Sequence, residues 1–152
     1  PALEYCDLVP IFRTVLEDFS TLHGNRFIVN LPIQMDGIWG ENQLRRALEN
    51  LLSNAAKYGN PTTPITFTMK EVHGTCEFSV HNFGSFIRKE DQEQLFALFA
   101  RGRDAETSSI PGGGIGLTIV KAVIDAHQGE IHVTSSPVTG TMFTVELPIR
   151  KN

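Results

Sequence analysis

Hydrophobic residues recur every three or four positions in two segments near the amino terminus, which predicts two amphipathic helices. The first helix is expected to be capped by Asp7 and to end near His23 and Gly24. Its apolar positions are Val9, Ile11, Phe12, Val15, Leu16 and Phe19. The second helix is expected to span residues 41–58 and to stop at the Gly-Asn-Pro sequence of residues 59–61. Its apolar stripe consists of Leu44, Leu48, Leu51 and Ala55.

Alternation of apolar and polar residues predicts strands before and after the second helix. The predicted strands are residues 3–6, 26–31, 33–39, 65–72, 76–80, 131–134 and 141–147. Asp36-Gly37 indicates a turn or bulge inside the third of them. Residues 73–75 and 137–140 are expected to turn two antiparallel hairpins, and residues 81–86 are expected to form a loop.

The segment between the two hairpins contains the remaining predicted helices. Residues 90–99 predict a short helix. Residues 100–113 are polar and glycine-rich and have no helical or strand periodicity, so we expect them to form a mobile lid. Residues 114–127 predict a helix that is apolar on more than one side and is ended by Gly129. Helices that alternate with hairpins, without repeated βαβ units, predict an α+β fold. We expect a two-layer α/β sandwich whose mixed, mostly antiparallel sheet is covered on one face by helices.

Composition limits the class of protein. The 152 residues carry 13 Lys+Arg and 17 Asp+Glu, a formal charge of −4, and are expected to form a single domain over residues 1–152. Scattered basic residues argue against nucleic acid as a partner. No window has the length of a membrane span or signal peptide, so this fragment itself is expected to lie outside the membrane. Cys6 and Cys76 match no metal spacing and are expected to be free thiols.

Three polar residues interrupt the second helix in a regular way. Asn50, Asn54 and Lys57 are spaced at i, i+4 and i+7 and therefore share one face of the helix. Asparagine is a mediocre helix former, so two of them in a helix interior are locally unfavourable. Neutral oxygen ligands beside an ammonium group suit Mg²⁺ with phosphate. The alternative is a polar face that only contacts solvent.

A glycine-rich sequence opens the last predicted helix. Gly112, Gly114 and Gly116 allow backbone N–H groups to approach an anion, and a helix amino terminus favours negative charge. No strand directly precedes these glycines, and no Gly-Lys-Ser/Thr follows them, so neither of the two common nucleotide-binding motifs is present. The pattern predicts a polyphosphate site of a different kind.

The chain resembles the ATP-binding catalytic domain of sensor histidine kinases, within the Bergerat-type ATPase superfamily. The resemblance covers residues 3–148 and depends on four motifs in the family's order. These are the N-box at residues 50–58, a G1-like Val80-His81-Asn82-Phe83-Gly84, an F-box at residues 96–99 and the G2 box at residues 112–117. Each motif alone is weak or moderate, but the ordered set is specific.

The resemblance implies a role for each matching residue. Asn54, assisted by Asn50, would be the Mg²⁺ ligand, and Lys57 would contact phosphate. Arg101, followed by Arg103, would reach the γ-phosphate, unless these arginines are only solvated. The implied nucleotide-binding residues are Tyr58, Asn82, Gly84, Ile87, Phe99, Gly112, Gly114, Ile115, Gly116 and Leu117. Among them Phe99, like Phe96, is also expected to anchor the lid.

Two positions depart from the family's pattern. Asn82 replaces an aspartate that accepts a hydrogen bond from the exocyclic amine of adenine, and Phe86 stands where a second glycine is common. An amide oxygen still accepts this bond, without the charge assistance, so we expect ATP binding to be kept but weakened. The G1 sequence looks most like that of phytochrome-type kinases. The alternative for Asn82 is a plain turn residue.

The N-box also indicates the reaction type. Hydrolysing members of the superfamily have a glutamate four residues before the Mg²⁺ asparagine, where this chain has Asn50, which cannot act as a base. The resemblance therefore implies transfer of the γ-phosphate to a histidine. His23, His73, His81, His127 and His132 all lack the acceptor-helix pattern.

The acceptor histidine is therefore expected on a separate dimerisation domain of the same kinase, which passes phosphate to a response regulator. We expect a cytoplasmic fragment, of a parent that could itself be membrane-anchored. The alternatives are a degenerate nucleotide- or protein-binding module and an anti-sigma-factor-type serine kinase.

Overall fold

The structure, a computed structural model, describes residues 3–24, 26–92 and 114–151. The helices are α1 (Leu8–His23), α2 (Glu41–Tyr58) and α3 (Gly114–Ala126), and residues 89–92 are also helical. The strands are β1 (Glu4–Asp7), β2 (Phe27–Asn30), β3 (Asp36–Trp39), β4 (Ile65–Val72), β5 (Thr75–Asn82), β6 (Glu130–Ser136) and β7 (Gly140–Pro148). The predicted helix at 90–99 and the lid at 100–113 lie almost wholly outside the described residues.

Two sheets are present in this part of the chain. Five strands form a mixed sheet of order β2-β4-β5-β7-β6, in which β2 runs parallel to β4 and the other neighbours are antiparallel. Strands β1 and β3 pair separately and antiparallel. The predicted α+β sandwich is confirmed.

Local details of the prediction need correction. Asp36 and Gly37 belong to β3 and pair with β1, instead of forming a turn or bulge. The loop expected at residues 81–86 begins at residue 83, because His81 and Asn82 belong to β5 and pair with β7.

The core lies between the inner face of the large sheet and the helices. Along β4, β5 and β7 every second side chain is buried, as the alternation predicts. Phe12 of α1 packs edge-on against Phe67 and Phe78, with ring centroids 5.8 and 5.2 Å away. The predicted stripe of α2 is buried, and Ala47 and Leu52 widen it. This packing leaves one polar face of α2 free to form a site.

The helix ends show how local sequence sets the boundaries. The Asp7 carboxylate accepts hydrogen bonds from the N–H groups of Val9, at 3.0 Å, and Met35, at 2.9 Å, so it caps α1 and ties it to β3. Gly24 ends α1 with a positive φ of 73°. After α3 the left-handed residue is Gln128, with φ 58°, and not the expected Gly129. Gly129 is needed for space, because a Cβ there would lie 2.4 Å from the Glu146 carbonyl oxygen.

His127 joins the end of α3 to the start of α2. Its Nε2 accepts a hydrogen bond from the Gly40 N–H at 2.9 Å, and its Nδ1 donates to the Val123 carbonyl at 2.9 Å. We expect His127→Ala to lower the free energy of unfolding by about 1–3 kcal/mol, because the Gly40 N–H is then buried without a partner. Urea denaturation measures this loss. The exposed His132→Ala is the control and should change stability by less than about 0.5 kcal/mol.

The two cysteines are free, as predicted, and differ in burial. Burial raises the pKa of Cys76 to about 12, with Glu71 and Glu77 adding to the shift. Burial and the nearby Glu41 also raise the pKa of the less buried Cys6. Because the thiolate is the reactive form, we expect iodoacetamide at pH 8 to modify Cys6 slowly and to leave Cys76 intact until the protein is denatured. Rapid modification of both thiols in the native protein would contradict this assignment.

Candidate nucleotide site

A cavity opens between α2, the ends of β5 and β7, the loop at residues 83–87 and the start of α3. Together with the solvent space at its mouth it spans about 500 Å³. The lining residues are Leu51, Asn54, Ala55, Tyr58, Val80, Asn82, Ser85, Phe86, Ile87, Leu117, Thr141 and Phe143. Five of them were predicted as site residues, namely Asn54, Tyr58, Asn82, Ile87 and Leu117.

The polar face of α2 lies beside this cavity, which Asn54 lines and Asn50 and Lys57 do not. Asn54 is half-buried and makes no hydrogen bond within the described part of the chain. The Asn50 amide nitrogen donates to the Arg46 carbonyl at 2.8 Å, which leaves Oδ1 as an acceptor. Lys57 is exposed, with its Nζ 5.4 Å from the centre of the Tyr58 ring. The helix thus presents two amide oxygens and an ammonium group along one side.

The loop after β5 is held against the carboxyl end of α2. The Asn60 N–H donates to the Phe83 carbonyl at 2.7 Å, and the Ser85 N–H donates to the Tyr58 carbonyl at 3.2 Å. Gly84 lies between these contacts with φ 132°. A Cβ there would be 2.7 Å from the Tyr58 oxygen and 2.6 Å from the Asn60 nitrogen. The glycine therefore allows the two backbones to meet and fixes the cavity wall.

Two buried polar residues form the floor of the cavity. Asn82 and Thr141 are paired across β5 and β7 and are 7% and 4% exposed. The Asn82 amide nitrogen donates to the Phe83 carbonyl at 3.3 Å, and no described residue donates to its Oδ1. The Thr141 hydroxyl is 2.5 Å from the Ser135 hydroxyl, which accepts from the Ile87 N–H at 2.8 Å. The floor is thus connected to the wall, while one amide oxygen is available to a ligand.

The start of α3 faces the polar side of α2. Gly114 is the first helical residue, as predicted, and Leu117 is buried against the cavity. A Cβ on Gly116 would lie 3.0 Å from the Asn50 Oδ1, so the glycine permits close contact between the two helices. The structure describes only the backbone of Ile115. The predicted Phe99, Arg101, Arg103 and Gly112 lie outside the described residues.

Sequence reasoning missed several lining residues because it assigned them to the core or did not single them out. Leu51 and Ala55 belong to the apolar stripe of α2, and Val80 and Phe143 to the inner face of the sheet. Thr141 carried a usable signal, since it continues the alternation of Phe143, Val145 and Leu147 with a polar side chain. Asn82 does the same after Cys76, Phe78 and Val80.

Apolar walls, a buried hydrogen-bonding floor, the free Asn54 amide at the rim and the Asn50 amide beside it suit a flat polar ring joined to an anionic group with a hard cation. The fold and this cavity together are those expected of a nucleotide-binding α+β domain. Comparison with known proteins then gives the family. Residues 40–151 match the family described as "Histidine kinase-, DNA gyrase B-, and HSP90-like ATPase", and the chain belongs to it.

Named relatives of the chain include a sensor protein and a sensor-like histidine kinase. The chain is 42% identical over 110 residues to the heme sensor protein HssS of Staphylococcus haemolyticus, which is 72% of this chain and 23% of the relative. It is 38% identical over 108 residues to the sensor-like histidine kinase SenX3 of Mycolicibacterium smegmatis. That match covers 71% of this chain and 28% of SenX3. The solved mycobacterial sensor histidine kinase MprB superposes with a TM-score of 0.79 at 25% identity over 99% of both chains.

These matches identify the chain as a catalytic ATP-binding domain of the histidine-kinase type. It spans about a quarter of the length of the two curated relatives. The finer resemblance of the G1 sequence to phytochrome-type kinases is not confirmed by them. No helix in the described part of the chain is long and apolar enough to cross a membrane.

Proposed function

We propose that this domain binds Mg-ATP in the cavity and transfers the γ-phosphate to a histidine on a separate dimerisation domain of the same kinase. The observation that carries the proposal is the cavity itself, with the free Asn82 amide oxygen on its floor and the free Asn54 amide at its rim. The purine base would meet Asn82 and pack between Tyr58 and Ile87. Phosphate would extend toward Lys57 and the start of α3.

Mg²⁺ fits the residues present. The amide oxygens of Asn54 and Asn50 are neutral, and no described residue donates a hydrogen bond to either of them. Such oxygens are expected of ligands for a hard cation. When bound, the ion would neutralise charge on the phosphates. Asn54 and Asn50 would hold it, while Lys57 and the backbone N–H groups at the start of α3 would orient the phosphates.

The residues at the rim favour phosphoryl transfer over hydrolysis. An amide such as Asn50 cannot take a proton from water, and it packs against Gly116. Glu49 is the nearest carboxylate in sequence but is exposed and lies about 100° around the helix from Asn50.

After transfer to the histidine, phosphate would pass to a response regulator. We propose a cytoplasmic location for the domain.

Isothermal calorimetry with Mg-ATP tests nucleotide binding directly. We expect saturable heat, and an increase in melting temperature that grows with nucleotide concentration. No heat and no thermal shift at millimolar Mg-ATP would contradict the proposal. Addition of the parent kinase's dimerisation domain with γ-labelled ATP then tests transfer, which should produce an acid-labile phosphohistidine.

One observation favours a second candidate, a module that binds partners without phosphotransfer. Phe86 lines the cavity while 41% exposed, at the position where the resemblance leads us to expect a glycine. A side chain there narrows the entrance. Phe86→Gly should tighten nucleotide binding if the cavity takes ATP and have no effect if the module binds only partner proteins. A module that holds nucleotide without phosphotransfer is distinguished by the absence of phosphohistidine in the transfer assay.

A further inference from the structure

We infer that the cavity accepts 6-oxo purine nucleotides as well as 6-amino purine nucleotides, because the floor carries an amide in place of a carboxylate. This inference rests on the proposed function, since it requires a purine nucleotide in the cavity. The inference extends the proposed function by naming the class of purine base that Asn82 can bind. The argument depends on the burial, the bonding and the rotation of that one side chain.

Asn82 is the free hydrogen-bonding group of the floor. Of the lining residues, Asn82 and Thr141 are the polar ones that are buried. The Thr141 hydroxyl is occupied by the Ser135 hydroxyl, at 2.5 Å, and the Ser85 carbonyl, at 3.4 Å. No described residue donates to the Asn82 Oδ1. A base that reaches the floor must therefore form its polar contact with Asn82.

An amide and a carboxylate differ in what they offer to position 6 of a purine. A carboxylate only accepts, so it pairs with an exocyclic amine and repels a carbonyl oxygen. An amide accepts through its oxygen and donates through its nitrogen. Rotation of the Asn82 amide by 180° exchanges the two groups, so the same residue pairs with either substituent.

The contact of Asn82 with Phe83 sets the penalty for this rotation. Its orientation is held by one hydrogen bond to the Phe83 carbonyl at 3.3 Å, longer than the usual 2.9–3.0 Å. The Phe83 carbonyl already accepts from the Asn60 N–H at 2.7 Å, so it keeps a partner when the amide turns. Turning the amide loses this long bond and brings Oδ1 toward the Phe83 oxygen, acceptor against acceptor, so the penalty falls on the 6-oxo base. We therefore expect a modest preference for the 6-amino base.

Calorimetric titration of the whole domain with Mg-ATP and Mg-ITP tests the inference, because the two bases differ only in the position-6 substituent and the proton on N1. The wild-type domain should bind ATP no more than about tenfold tighter than ITP. Asn82→Asp should raise this ratio by at least about tenfold, since the carboxylate then faces the carbonyl oxygen and can accept the N1 proton only if the base shifts. Asn30→Asp makes the same charge change on the exposed strand β2 and should leave the ratio unchanged.

The outcomes separate the inference from the proposed function. Binding of ATP with ITP more than one hundredfold weaker in the wild type overturns the inference and leaves the proposed function standing. Binding of neither nucleotide overturns the proposed function, and the inference with it. An unchanged ratio in a folded Asn82→Asp domain also overturns the inference. Circular dichroism checks that this variant folds, and if it does not, the wild-type ratio decides alone.

Discussion

Replacing Asn54 with alanine is expected to weaken Mg-ATP binding about one hundredfold, equivalent to about 2.7 kcal/mol. Asn54 lines the cavity from α2, and its amide has no hydrogen bond within the described part of the chain. A free amide oxygen beside a phosphate site is a ligand for Mg²⁺, and its removal takes away the contribution of the ion to nucleotide binding. Calorimetry with Mg-ATP, and again with ATP in EDTA, measures that contribution.

The fold should not be lost with this ligand. Alanine is a better helix former than asparagine, so Asn54→Ala should melt at the wild-type temperature or above it. Loss of binding can then be assigned to the site.

Glu49→Gln is the matched control on the same helix. Glu49 is exposed and does not line the cavity. The control should therefore bind Mg-ATP as the wild type does. If Asn54→Ala still responds to EDTA as strongly as the wild type, the Mg²⁺ assignment is wrong.

Gly84→Ala is expected to lower the free energy of unfolding by about 3 kcal/mol and to eliminate nucleotide binding. Its φ of 132° lies where non-glycine residues are strained, and the added Cβ would collide with backbone atoms of Tyr58, Gly59 and Asn60. Because these atoms belong to the end of α2, the loop at 83–87 has to move away, and it carries a wall of the cavity. Urea denaturation and Mg-ATP titration measure the two effects.

Gly74→Ala isolates the collision from the backbone strain. Gly74 also has a positive φ, of 77°, but a Cβ there meets no atom within 4 Å. This control should lose about 1 kcal/mol and keep full nucleotide binding. Equal losses in the two variants would show that the collision of the added Cβ with residues 58–60 adds nothing to the backbone strain.

The periodicity of the sequence predicted most of the helices and strands because their patterns are local. The bounds of α2 follow from a buried stripe and the Gly-Asn-Pro stop, and those of α1 from Asp7 and Gly24. The details that failed depend on distant partners. Asp36 and Gly37 become a strand only because β1 pairs with them, and β5 extends to Asn82 because β7 continues beside it.

The candidate site divides in the same way. Asn54, Tyr58 and Leu117 could be predicted from one helix or one motif, and the structure brings them to one cavity. Thr141 was missed because its importance comes from its partner, Asn82, which lies 59 positions earlier in the chain and directly opposite in the sheet. No local pattern predicts that register.

The elements, the polar face of α2 and the ordered motifs follow from local sequence, because helical and strand periods and glycine spacing are properties of neighbouring residues. Which polar atoms remain free depends on contacts between distant segments. Asn82 is buried with an open amide oxygen because Thr141 is occupied by Ser135 and the loop is held by α2. Hydrogen bonds between distant segments assign donors to acceptors, and the acceptor that they leave over, Asn82 Oδ1, is what the cavity offers to a ligand.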